Sequence, residues 1–263
     1  AHGGFGTTVF LPELYKCPNV NQCEYFYNPH GSDMDFRPDF PPRERDYLRC
    51  QALNAMILLQ LHTCTAGYAP TRFQRSQFPA AWSSKIDVIH DGVDTTFWRR
   101  LPMERRLGDE VISADTRIVT YVSRGLEAMR GFDIFIRAAK IIAASMSNVL
   151  FVVVGADRTC YGGDLRYIKT KTFREHVLRT EKPDLSRFRF LGLVPQTRLK
   201  EIFSLSDLHI YLTVPFVLSW SVLNALACEC VLLGSDTAPV KEVIRHEENG
   251  LLAGFFDAEG LAA

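Results

Sequence analysis

Residues 215–244 read PFVLSWSVLNALACECVLLGSDTAPVKEVI. A loop, a helix, a buried strand and the start of a second helix follow one another in this stretch. Ser219 and Ser221 place two hydroxyls where the first helix begins. A helix N-terminus carries unpaired N–H groups and about half a positive charge, which suits a phosphate group. In an open α/β sheet such a start lies at the carboxyl edge of the strands, where ligands bind. The stretch therefore predicts a parallel α/β sheet with an anion site along one edge.

The sequence upstream repeats the alternation. Arg117 to Ser123 (RIVTYVS) predicts a β-branched strand, and Phe132 to Ala144 has apolar residues at helical spacing. Val149 to Gly155 (VLFVVVG) is a continuous apolar run, as expected of a strand covered on both faces. Leu165 to Arg179 is read as a charged helical stretch. Strands at Arg187–Leu191 and Leu208–Leu212, a helix at Leu199–Leu205, a helix at Ser221–Ala227 and a strand at Cys230–Gly234 complete the pattern. Strands separated by helices imply a doubly wound parallel sheet.

The first hundred residues are less regular. Asn28 to Pro42 is rich in Asp, Pro and Gly and reads as a long surface loop of the kind that carries function. Beyond it come a helix over Arg45–Leu61, a strand over Ala66–Pro70, a helix start in PTRFQRSQF and a strand over Lys85–Ile89. Glu104 to Ala114 carries charges and one Gly, with Pro102 ahead of it. The expected division is an incomplete first α/β domain over residues 1–100 and a second over residues 101–263. The opening AHGGFGTTVF and the closing FFDAEGLAA both read as cut ends.

Thirty basic and 30 acidic residues cancel in a chain of 263, which argues against a dedicated nucleic-acid binder. Seven cysteines, odd in number and without a C-x-x-C pair, read as reduced thiols of a cytoplasmic protein. No apolar run reaches the roughly 18–20 residues of a membrane span.

Four groups of residues carry candidate chemistry. Arg124 and Arg130 flank the loop after RIVTYVS, and two fixed guanidiniums at a strand's carboxyl end can grip a diphosphate. The turn IHDGVDTTFW includes Gly92, free to take a positive φ, and Asp94, able to cap the residues after it; it reads first as an interdomain turn, with His90 and Asp91 as candidates to line the cleft. In VVVGADRTCYGG, Gly155 permits close backbone approach, with Asp157 and Tyr161 nearby. The segment His2-Gly3-Gly4-Phe5-Gly6 presents His2. Neither a G-x-G-x-x-G fingerprint nor a Walker lysine motif occurs, so no dinucleotide or P-loop cofactor is expected.

IHDGVDTTFW, SRGLEAMRGFD, PFVLSWSVLNALACECVLLGSDTAPVKEVI and ENGLLAGFFD, in this order, resemble the family-4 retaining glycosyltransferases of the GT-B type. HGGFGTTVFLPELY, YFYNPHGSDMDF and YAPTRFQRSQFP resemble a bacterial branch of that family. The resemblance implies two Rossmann-like domains and sugar transfer from a nucleotide-diphosphate-sugar to a glycan, lipid-linked or small-molecule acceptor. It assigns Arg124 and Arg130 to the donor diphosphate, with Asn224 as third catalytic position. Phe216, Ser219, Trp220 and Ser221 fall to the donor; Gly155, Asp157, Tyr161 and Val194 are read with them on the donor side, and His2 and His90 on the acceptor side. No metal or other cofactor is implied, and contact with the inner face of a membrane stays open.

Two departures matter. The family commonly has Glu, seven residues, then Glu; this chain has Phe216 and Asn224 there. Asn224 keeps hydrogen-bonding capacity and lacks the charge that strengthens a carboxylate–hydroxyl bond, a loss of about 1 kcal/mol or more. Glu229 stands where the family often has Gly and is expected to face solvent. The alternatives are a nucleotide-sugar-binding homologue without turnover, or an inactive fragment. A sugar-nucleotide epimerase on the same architecture needs cleft carboxylates and a histidine that the sequence does not supply.

Overall fold

The computed structural model describes residues 1–3 and 7–263. Two compact units divide the chain: residues 1–91 with 215–218, and residues 92–214 with 219–263.

In the first unit three short strands, β1 (Val20–Gln22), β2 (Ala66–Ala69) and β3 (Ile86–Val88), pair in parallel in that order. Helix α1 (Leu11–Leu14) is a single turn, and α2 (Glu44–Thr63) is the unit's long helix. Its Cys50, Asn54, Ile57 and Leu61 recur at i, i+4, i+7 and i+11 and are buried together. Ile57 and Leu61 pack with Cys23, Phe26, Cys64, Ala69, Phe78 and Ile86 to form the core. Asn54 fixes the chain beyond β1, accepting from Tyr27 N–H at 3.0 Å and donating to its carbonyl at 2.7 Å. Thr71 caps α3 (Arg72–Ser76) by accepting from Gln74 N–H at 3.0 Å.

Loop 28–42 is tied down more closely than a surface loop requires. Asp35 accepts from the N–H groups of Gly31 and Ser32, at 2.8 and 3.0 Å. Ser32 and Arg37 are buried.

The second unit opens with a hairpin, β4 (Arg106–Leu107) and β5 (Glu110–Val111), where the charged stretch 104–114 gave no element. Gly108, at φ +67°, supplies the left-handed turn residue between them. Its main sheet has six parallel strands: β6 (Arg117–Gly125), β7 (Val149–Ala156), β8 (Phe188–Gly192), β9 (Leu208–Tyr211), β10 (Leu232–Ser235) and β11 (Leu251–Ala253), in the order β11-β10-β9-β6-β7-β8. Seven of eight β7 residues are buried, as its apolar run requires. Helices α4 (Phe132–Ser145), α5 (Phe173–Glu181), α6 (Gln196–Leu205), α7 (Trp220–Ala227) and the one-turn α8 (Ala238–Lys241) connect the strands.

One helix expectation needs correction. Residues 165–179 do not form one helix; a 3-10 turn at Asp164–Arg166 precedes α5, which begins only at Phe173. Thr172 explains the late start, because its hydroxyl accepts from Glu175 N–H at 3.1 Å and caps the helix. Thr170 spends its hydroxyl on the Thr172 carbonyl at 2.9 Å, a local bond that competes with helix.

Candidate functional site

From β6 the chain of the second unit runs outward through β7 to β8, then returns to the opposite side of β6 as β9. This reversal is a topological switch point, and the crevice beyond the carboxyl ends of β6 and β9 is where such sheets bind ligands. Arg124 ends β6, Tyr211 ends β9, Tyr161 lies in the loop after β7, and Ser219 is the N-cap of α7.

These residues form a continuous set of contacts. Arg124 is exposed and donates from Nη1 to the Tyr161 hydroxyl at 3.5 Å. The face of the Tyr161 ring lies 5.3 Å from the Arg130 guanidinium carbon, a cation–π distance. Arg130 is only 5% exposed and donates to Thr213 Oγ1 at 2.7 Å and to the Tyr211 hydroxyl at 3.4 Å. The same Tyr211 hydroxyl accepts the Ser219 backbone N–H at 2.8 Å. The arginine side and the helix side of the anion site thus meet at one phenol.

Local sequence explains the placement. Gly131, at φ +63°, ends the short 3-10 turn Ala128–Arg130 and begins α4. A Cβ there would lie 2.9 Å from Leu212 Cβ, so only glycine lets this turn pack against the end of β9. The Tyr121 hydroxyl donates to the Arg130 carbonyl at 2.7 Å, and burial holds that phenol above its ordinary range. Burial likewise raises the Tyr211 phenol, so both stay neutral.

The helix start is more self-satisfied than its sequence suggests. Ser219 Oγ accepts the Ser221 N–H at 3.3 Å and lies 2.9 Å from Ser221 Oγ. An anion here would therefore meet hydroxyls, the positive end of α7 and the two guanidiniums, with the Ser219 and Ser221 N–H groups already given protein acceptors. Trp220 is 65% exposed at the first helical position. Asn224 lies half-buried one turn further along α7.

The remaining candidates make other contacts. Gly155 lets the end of β7 approach the end of β6: a Cβ on it would lie 2.8 Å from the Ser123 carbonyl oxygen. Asp157 is exposed and pairs with Arg174 at 3.4 Å. Val194 is half-buried between β8 and α6. Phe216 belongs with the first unit, edge-on to Tyr25 at 4.8 Å between centroids. His90 is exposed at the end of that unit. His2 bridges Gln22, and its Nε2 lies 2.9 Å from Glu24 Oε2. Gly4, Phe5 and Gly6 of the glycine-rich segment lie outside the described residues. Glu229 is exposed, at φ +59°. All seven cysteines are free thiols. Among the described residues, no three His, Cys, Asp or Glu side chains group as metal ligands, and no helix is long and apolar enough to cross a membrane.

Sequence reading missed Tyr211 and Thr213, although polar groups at the end of the apolar strand LHIY were the available signal. It also missed Glu127 and Asp164. Glu127 Oε2 accepts three consecutive N–H groups, from Cys160, Tyr161 and Gly162, at 3.0, 2.8 and 2.9 Å.

Residues 1–98 match the family described as "Glycosyl transferase family 4 group", and residues 104–263 match "Glycosyl transferases group 1". N-acetyl-alpha-D-glucosaminyl L-malate synthase of Bacillus anthracis is 24% identical over 177 residues, covering 67% of this chain and 42% of its own length. Alpha-maltose-1-phosphate synthase of Mycolicibacterium smegmatis is 24% identical over 189 residues, covering 71% of this chain and 46% of its own length. The chain thus spans less than half the length of these two relatives. The crystal structure of Anabaena Alr3699/HepE in complex with UDP and glucose superposes with a TM-score of 0.72 at 17% identity, covering 97% of this chain and 62% of that one. That likeness extends over both parallel sheets and gives the fold as GT-B. Because the match at residues 104–263 takes in well over half of the chain, this protein belongs to the glycosyl transferases group 1 family.

Proposed function

We propose that this chain carries the donor site of a retaining glycosyltransferase, which moves a sugar from a nucleotide-diphosphate-sugar to a glycan, lipid-linked or small-molecule acceptor. The observation that carries the reading is the contact set Arg124–Tyr161–Arg130–Tyr211–Ser219 at the switch point. HepE, of the same fold, was solved with UDP and glucose, which supports a uridine donor as the first probe.

In the proposed reaction the bond between the anomeric carbon and the diphosphate oxygen breaks, and its electron pair stays on the diphosphate. Positive charge builds up on the sugar in an oxocarbenium-like transition state. The acceptor oxygen bonds to the anomeric carbon on the face the diphosphate leaves, and the departing phosphate takes the acceptor proton. Arg124 and Arg130 meet the charge that grows on the leaving group, and such preorganised stabilisation is usually the largest catalytic contribution. No metal is assigned a part, because the two guanidiniums supply that charge. A reducing, cytoplasmic setting is part of the reading and accords with the free cysteines.

Calorimetric titration with UDP tests the site. Arg124 is exposed, so Arg124→Ala should leave the melting temperature within about 2 °C while weakening UDP binding about tenfold. A folded chain that binds no nucleoside diphosphate at millimolar concentration sinks the reading. A second reading, binding without turnover, is favoured by Phe216 and Asn224 at the two carboxylate positions. Sugar transfer or donor hydrolysis by the protein rules it out.

A further inference from the structure

Two buried carboxylates, Glu127 and Asp164, sit beside a site read as binding a highly charged anion. Negative charge there opposes the ligand, so each must do something the site needs. Glu127 stands immediately before the 3-10 turn that carries Arg130, and its Oε2 gathers the Cys160, Tyr161 and Gly162 N–H groups of the facing loop. Asp164 returns the arrangement: its Oδ2 accepts the N–H of Ala128, first residue of the Arg130 turn, at 3.0 Å. Each loop thus lends a carboxylate to the other's backbone. Gly125 marks how tightly the loops fit, since a Cβ on it would collide with the Arg158 carbonyl of the facing loop. The outcome of the bracing is the position of Tyr161, whose ring covers Arg130 and whose hydroxyl reaches Arg124.

We propose that Glu127 and Asp164 are positioning residues for the donor diphosphate, holding Tyr161 and Arg130 in register without touching the ligand. The inference rests on the donor-site reading above. Burial raises the Glu127 carboxyl above its ordinary range, against the lowering effect of its three backbone N–H bonds and with the Asp164 charge adding to the rise. Its Oε1 is buried with no hydrogen-bond partner among the described residues.

The test is a UDP titration combined with amide hydrogen exchange on the 263-residue chain and its variants. Glu127→Ala should weaken UDP about tenfold and speed exchange of the 160–162 amides, also in the absence of UDP. Glu127→Gln keeps one acceptor oxygen in place and should restore affinity to within about twofold, which a need for charge would not allow. Glu127→Ala combined with Tyr161→Ala should bind UDP no more than about twofold worse than the weaker single variant, because both act through one ring. If the alanine variant is unfolded at the titration temperature, Glu127→Asp replaces it, with the carboxylate one methylene too short and the same loss expected. Unchanged 160–162 exchange, an unchanged affinity, or losses that multiply in the double variant overturn the proposal. Failure of the unsubstituted chain to bind UDP, ADP or GDP overturns the donor reading instead, whatever the exchange shows.

Discussion

Arg130 and Tyr211 meet at 3.4 Å, guanidinium to phenol, and the phenol's second partner is the Ser219 N–H at 2.8 Å. A single hydroxyl at the end of β9 therefore aligns a buried cation with the start of α7. Tyr211→Phe keeps the ring and deletes that shared acceptor. It should cost about 1 kcal/mol of stability, since a part-buried N–H loses its partner. UDP affinity should fall about fivefold to thirtyfold, as Arg130 and the helix start lose alignment. Thermal melting beside calorimetry separates the two effects, and equal affinity in Tyr211→Phe would refute the alignment.

Asn224 follows Ser221 by one helical turn on α7, so both lie along one face. If that face meets the ribose, a carboxylate at 224 should bind its hydroxyls more strongly than the amide does. Asn224→Glu should tighten UDP about fivefold, equivalent to roughly 1 kcal/mol. The gain should vanish with 2′,3′-dideoxy-UDP, which lacks those hydroxyls. An equal gain with both nucleotides would place residue 224 away from the ribose.

The parts of this fold legible in the sequence are those with local periodicity. VLFVVVG became β7 and the apolar spacing after Gly131 became α4, because burial on two faces or one leaves a direct mark on the pattern. β1 went unforeseen: it has three residues, includes the polar Asn21 and Gln22, and owes its existence to pairing with β2 more than 40 positions away. The site divides in the same way. Arg124, Arg130 and Ser219 stand at the ends of readable elements. Glu127 and Asp164 act on the backbone of each other's loops, and a contact between residues 127 and 160–162 leaves no period to read.

Acid should act on two buried groups in opposite directions, beginning with Asp33 in the first unit. Burial pushes its carboxyl up to about 6, against a 2.6 Å hydrogen bond from Tyr25 and others from its own N–H and Ser32, with Asp35 adding to the rise. The folded form holds the proton more tightly than the unfolded chain, whose carboxyl has its ordinary value near 3.8. The stabilisation is therefore complete below about pH 4 and is lost as pH rises through about 6, by on the order of 3 kcal/mol. Asp33→Asn should flatten this part of the stability profile in chemical denaturation followed through the first unit. A variant with the same slope between pH 4 and 6 would assign the effect to another group.

His209 sets the opposite trend in the second unit. It is fully buried in β9, its Nδ1 lies 2.9 Å from Thr120 Oγ1, and burial pushes the imidazole down to about 4. The unfolded chain takes up a proton near 6.5 that the folded chain refuses. The contribution is thus complete above pH 6.5 and is lost as pH falls toward 4, by on the order of 3 kcal/mol. Nε2 is buried without a hydrogen-bond partner among the described residues. An unpaired lone pair there is more readily tolerated than an unpaired N–H, so the proton belongs on Nδ1, donated to Thr120. Nitrogen-15 NMR should show the Nδ1–H tautomer unchanged from pH 8 to 5. Segment-resolved hydrogen exchange over the same range should show protection of β9 and its neighbours falling with acid, while that around Asp33 rises. A His209 resonance titrating near 6.5 in the folded protein would contradict both the burial argument and the tautomer.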